Sequence, residues 1–163
     1  MRKSSLRTVL AFLTGAALAL AAVVLLRAGP VTAARYEGDN RDALAAVLKV
    51  TFARGDVVFS FGGVGATPDD HTRQAAAAAL DLPLERHPAA LAALEAQFGA
   101  DAYPHRVLMA DFPAGAAIIP NPVNRVASFS IRNHHFFPGF PQMAWPMLDW
   151  VLVTRPPART ALP

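Results

Sequence analysis

Asp56-Val57-Val58-Phe59-Ser60-Phe61-Gly62-Gly63-Val64-Gly65-Ala66-Thr67-Pro68-Asp69-Asp70-His71-Thr72 reads without a break as a strand, a glycine turn, an acidic cluster and the start of a helix. Val57 to Phe61 is a short apolar run rich in β-branched and aromatic residues, the pattern of a strand buried on both faces of a parallel sheet. Three glycines in four positions then let the backbone approach a ligand closely and turn its N–H groups outward. Thr67, Asp69, Asp70 and Thr72 bring capping and acidic oxygens to the point where an Ala-rich helix begins. The amides suit a phosphate, and the carboxylates suit the cation that accompanies one.

Working outward, Val31 to Tyr36 reads as a strand, and Glu37-Gly38-Asp39-Asn40 as a turn with an N-cap. Leu44, Val47, Leu48 and Phe52 then recur at helical spacing up to Gly55. Thr72 to Leu80 continues as a helix whose small side chains pack closely on a sheet. Pro88 suits a first helical position, with Leu91, Leu94 and Phe98 on one face and Gly99 past the end. Ala116 to Ile119 is a short strand. Ser128 to Ile131 and His134 to Phe137 read as two strands joined by Arg132-Asn133. Pro138-Gly139-Phe140-Pro141 is a second glycine turn, leading to a last helix with Met143, Met147, Trp150 and Val151 on its buried face. Trp145 and Trp150 are expected in the core rather than as cofactor platforms. His134 and His135 fall on opposite faces of their strand, which predicts structural hydrogen bonding rather than joint metal binding.

At 163 residues, with 53% hydrophobic and 17% charged residues, the chain can bury one sizeable core and does not have the composition of a disordered protein. The net charge of +3 comes from scattered Arg and Lys with no aromatic-flanked basic cluster, so no nucleic-acid partner is expected. There is no cysteine. That excludes disulfides, thiolate metal sites and a cysteine nucleophile.

The spacing Gly62-Gly63-x-Gly65, four residues, Asp70, one residue, Thr72 resembles the signature of the molybdopterin-binding domain family. That family includes the adenylyltransferases of molybdenum cofactor biosynthesis and the amino-terminal domain of competence/damage-inducible protein A. The resemblance continues through Pro83 to Pro88, Met109 to Gly115, Ile119 to Pro122 and Phe137 to Pro141, and Asp69-Asp70 with Asn121-Pro122 favours the competence/damage-inducible branch. It implies an α/β fold, a three-layer α/β/α sandwich around a mostly parallel sheet, with the ligand at the carboxyl ends of the strands. It also implies a phosphorylated pterin (molybdopterin) or nucleotide as ligand, Mg²⁺ or another divalent cation as cofactor, and a homo-oligomer.

Ser60, Gly62, Gly63, Gly65, Thr72 and Gly139 are then the candidate ligand-binding residues. Asp70 is the candidate catalytic group, and Asp69 and Asp70 are the candidate metal ligands. Plainer readings stand beside these: a tight turn for the glycines, a helix N-cap for Asp70, a solvated loop carboxylate for Asp69. Three activities are open: adenylyl transfer, metal-dependent hydrolysis of an ADP-ribose-type pyrophosphate, and binding without turnover by a truncated domain.

The amino terminus departs from the pattern. Residues 1–27 form a segment apart from a domain at 28–154 and a Pro-rich tail at 155–163, because Arg2, Lys3 and Arg7 precede a charge-free run from Thr8 to Leu26. Such a run is the pattern of a signal peptide or membrane anchor, or else of a replacement first helix at Leu18 to Arg27. The family's opening strand and its Gly-Asp/Asn-Glu loop are therefore expected to be missing. A cytoplasmic protein is the favoured outcome, with membrane contact through residues 8–26 or export as the alternative.

Overall fold

The computed structural model describes residues 7–11, 24, 27, 31, 33–54 and 56–154, with side chains for all of these except 7–11. Its strands are β1 (Arg7–Ala11), β2 (Ala33–Tyr36), β3 (Val57–Phe61), β4 (Leu84–Arg86), β5 (Asp111–Pro113), β6 (Ala117–Ile119), β7 (Ser128–Ile131) and β8 (His134–Phe137). Its helices are α1 (Arg41–Arg54), α2 (Thr72–Leu80), α3 (Pro88–Phe98) and α4 (Pro141–Thr154), with two 3₁₀ turns at Gly99–Ala102 and Arg106–Ala110.

The main sheet runs β2-β1-β3-β8-β7-β6. The first four strands are parallel, and β7 and β6 close the far edge as antiparallel partners. One apolar cluster, built on Leu44, Leu48, Ala75, Leu94, Phe129 and Phe136, fills the space between the sheet and α1, α2 and α3. A second, built on Phe59, Phe61, Phe137, Met147 and Val151 with helical Val24, fills the space beneath α4. This is the expected α/β/α sandwich. β4 and β5 form a separate antiparallel pair, pinned by the Arg86–Asp111 ion pair.

The opening strand is present, contrary to expectation. β1 lies between β2 and β3, in register from Arg7↔Val57 to Ala11↔Phe61. Residues 7–11 thus belong to the central sheet, and the division at residue 27 does not hold for them. A central parallel strand is apolar on both faces, so its sequence looks like the start of an anchor. With Thr8–Ala11 in a strand, residues 8–26 are not one continuous helix. Among the described residues no helix is long and apolar enough to cross a membrane. The rest of the 8–26 expectation, apart from Val24, falls outside the described residues.

The other elements follow local signals closely. Asn40 caps α1 by accepting from the Ala43 amide at 2.9 Å. α2 has the expected bounds, and Gly99 ends α3 at φ +54. In α4 the buried stripe is Ala144, Met147, Leu148 and Val151, one position off the predicted one at its start. Trp145 is consequently on the surface, 40% exposed rather than in the core, and Trp150 is half-buried.

His134 and His135 do lie on opposite faces: His134 stacks on Phe52 and His135 on Phe59. His135 Nδ1 and Ser130 Oγ are 2.8 Å apart. The Thr51 hydroxyl donates to the Leu48 carbonyl, so His134 Nε2–H must donate to Thr51 Oγ at 2.8 Å, leaving Nδ1 buried and unprotonated. Burial, then His135 and Arg132, push the His134 imidazole from 6.5 down to about 3. The folded-state value lies below the unfolded one, so the unfolded chain takes the proton first. Stability from this group is complete above pH 6.5 and falls as the pH drops towards 3, by up to about 1.4 kcal/mol per pH unit. Urea denaturation at stepped pH should show that fall, and His134→Gln should flatten it; an equally steep fall in the variant would refute the assignment.

Candidate functional site

Strand order places the site. The chain leaves β1 to one side for β2 and crosses back to the other for β3, which opens a crevice at the carboxyl ends of the parallel strands. The glycine loop follows β3 at that edge. Gly62 and Gly63 turn the chain at φ +98 and φ +66, conformations that side-chain-bearing residues rarely adopt.

Three carbonyls of the loop are engaged by the helix that follows it. The Thr72 hydroxyl donates to the Gly62 carbonyl at 2.9 Å and the Thr72 amide to the Gly63 carbonyl at 3.0 Å. Arg73 Nη2 donates to the Gly65 carbonyl at 2.6 Å. The Gly62 amide is spent on the Phe137 carbonyl at 2.8 Å. The amides of Gly63 and Gly65 find no acceptor among the described residues. The amides of Val64 and Ala66 likewise have none, so the turn carries a run of free donors.

Gly139 joins the same neighbourhood through the second glycine turn: a Cβ built there would lie 3.5 Å from Gly62 Cα. Gly139 thus neighbours the first turn, with room there for a Cβ. Ser60 is placed differently from the loop residues. It is fully buried in β3 on the Val58 side, and its hydroxyl has no hydrogen-bond partner among the described residues.

The acids separate. Asp70 Oδ2 accepts from the Thr67 amide at 2.9 Å and the Thr67 hydroxyl at 2.5 Å, closing a small turn over Gly65. It does not cap α2: the N-cap is His71, whose side chain makes no capping bond. A carboxylate that bonds its own loop backbone stiffens the loop instead. Asp69 is exposed and lines the cleft.

The cleft is shallow and open to solvent, with a volume of about 10 Å³. Gly63, Asp69, His71 and Thr72 form one wall, and Gly38, Asp39 and Asn40, from the turn after β2, form the other. Asp39 was not among the residues expected from sequence. Its signal was positional: a turn after one parallel strand faces the turn after the next, once both are known to share a sheet edge. No group of three His, Asp or Glu side chains among the described residues forms a metal cage. One or two carboxylates together with ligand phosphates is nonetheless the usual manner of holding Mg²⁺, and Asp39 and Asp69 supply that number.

Two glycines separate architecture from chance. A Cβ at Gly63 would come within 2.4 Å of Thr72 Oγ1, in a left-handed backbone, whereas a Cβ at Gly38 meets nothing within 4 Å. Gly63→Ala should lower unfolding free energy by about 1–3 kcal/mol, and Gly38→Ala should change it by less than about 0.5 kcal/mol. Urea denaturation of the two variants checks the contrast; equal effects would contradict the loop geometry.

Residues 16–158 match the family model described as "Probable molybdopterin binding domain". A CinA-like protein of Anaeromyxobacter sp. strain Fw109-5 is 39% identical over 129 residues, covering 75% of this chain and 32% of that protein. The chain thus spans about a third of the length of that relative, and about a quarter of a CinA-like protein of Anaeromyxobacter dehalogenans strain 2CP-1 that is 40% identical over 96 residues, 57% of this chain. In fold, the chain is similar to the protein CinA of Thermoplasma acidophilum, with a TM-score of 0.79 at 23% identity over 91% of this chain and 96% of that one. The molybdopterin biosynthesis enzyme MoaB of Thermus thermophilus follows at 0.54 and 18%, covering 93% and 92%. On the breadth of that family match, the chain belongs to the molybdopterin-binding domain family.

Proposed function

We propose that the chain binds a phosphorylated pterin or nucleotide, with a phosphate seated on the amides of Gly63 and Gly65. The observation that carries this reading is the division of labour in the loop: its carbonyls are engaged by Thr72 and Arg73, while these two amides have no protein acceptor among the described residues. Backbone donors at the start of a helix favour an anion both by hydrogen bonding and through the helix dipole.

A divalent cation would be held by Asp69 and Asp39 together with ligand phosphate oxygens. When bound, it would supply charge neutralisation and Lewis-acid polarisation at the phosphate. Asp70 acts through structure in this reading, fixing the loop that presents the amides.

The likeness to CinA-type proteins favours hydrolysis of an ADP-ribose-type pyrophosphate over adenylyl transfer as the second reading. Binding of inorganic pyrophosphate and ADP-ribose, measured calorimetrically with and without Mg²⁺ and followed by an assay for AMP release, tests both. Millimolar or tighter binding that Mg²⁺ strengthens is expected. Asp69→Asn should remove most of the Mg²⁺ effect while leaving the metal-free affinity within about threefold. No binding of either compound at millimolar concentration would refute the phosphate reading; binding with no AMP release would refute only the hydrolase.

A further inference from the structure

Arg73 is 3% exposed, yet no carboxylate forms an ion pair with it among the described residues. Its guanidinium donates instead to three main-chain carbonyls: Gly65 at 2.6 Å, Asp111 at 3.4 Å, and Leu108. Nε is buried with no partner. Burial opposes its charge, and the carboxylates of Asp111 and Asp70 offset that only from a distance. Asp111 is moreover occupied with Arg86, through bonds of 2.6 and 3.0 Å.

A buried cation among carbonyl dipoles, with carboxylates near it but none in direct contact, is incompletely compensated. It lies directly behind a loop whose free amides are donors without acceptors. An anion in the cleft would give the amides an acceptor and Arg73 a further counter-charge at longer range.

We propose that Arg73 is a positioning residue for the ligand's phosphates: it draws the Gly65 carbonyl inward, so that the loop amides face the cleft, and it supplies the fixed positive charge that makes this loop select a polyanion of the pyrophosphate class. The inference rests on the reading of the loop as a phosphate site and adds the residue that sets its charge preference. The competing role is a neutral strut that ties α2 to residues 106–113.

Titration of the ¹⁵N-labelled full chain with inorganic pyrophosphate, following the Gly63 and Gly65 amides and the Arg73 Nε–H resonance, separates the two. All three signals should move with one midpoint. Arg73→Gln removes the charge together with the Nη donors and should weaken pyrophosphate binding about tenfold or more; Arg73→Lys keeps the charge and should stay within about threefold. Glycine amides that move while Nε–H does not would overturn the Arg73 role and leave the loop reading standing. So would a Gln variant that binds as tightly as wild type, or a Lys variant as weak as Gln. Stillness of all three signals would overturn both. Should the Gln variant fail to fold, the wild-type titration and the Lys variant decide.

Discussion

The hydrogen bond from the Gly62 amide to the carbonyl of Phe137, the last residue of β8, carries the parallel β3–β8 pairing one step past the end of β3. Everything at the candidate site is arranged around that step. It brings the two glycine turns near each other, such that a Cβ on Gly139 would sit in ordinary van der Waals contact with Gly62 Cα, at 3.5 Å. It also spends one amide of the turn on the fold, so that the chain must reverse at positive φ and present the following amides outward. Thr72 then fixes the reversal from the helix side with a hydroxyl and an amide.

The arrangement is one of charge as well as shape. A buried guanidinium stands behind the loop, and two carboxylates, Asp39 and Asp69, stand in front of it on opposite walls. An anion alone would meet repulsion from the front, and a cation alone would meet amide donors and Arg73 from behind. A phosphate with its divalent cation meets complementary charge on both sides. This is why the carboxylates do not count against an anion site.

Much of the fold could be read from residues 56–72. The strand, the turn and the bounds of α2 are written in local signals: an apolar β-branched run, three glycines, then alanines. The β7–β8 hairpin was legible for the same reason, since Arg132-Asn133 leaves few other ways to join two short apolar strands. β1 was not legible. A strand buried on both faces carries no alternation, and Thr8 to Leu26 contains neither a charge nor a proline to mark where the strand ends. The α4 stripe slipped because apolar residues occupy several faces of that helix, leaving the spacing with more than one solution. At the site, the glycines and Thr72 were legible as a spacing. The positions of Asp39 and Arg73 depend on which turns share a sheet edge and on a contact 35 residues away, from Arg73 to Leu108. Local sequence holds no record of either.

Amide hydrogen exchange resolved at Gly62, Gly63 and Gly65 tests the central claim most directly. The Gly62 amide, bonded to the Phe137 carbonyl, should exchange as slowly as the interior of β3. The Gly63 and Gly65 amides should exchange fast, and only these two should slow when pyrophosphate is added. A Gly62 amide that exchanges as fast as its neighbours, or Gly63 and Gly65 amides already protected without ligand, would contradict the account.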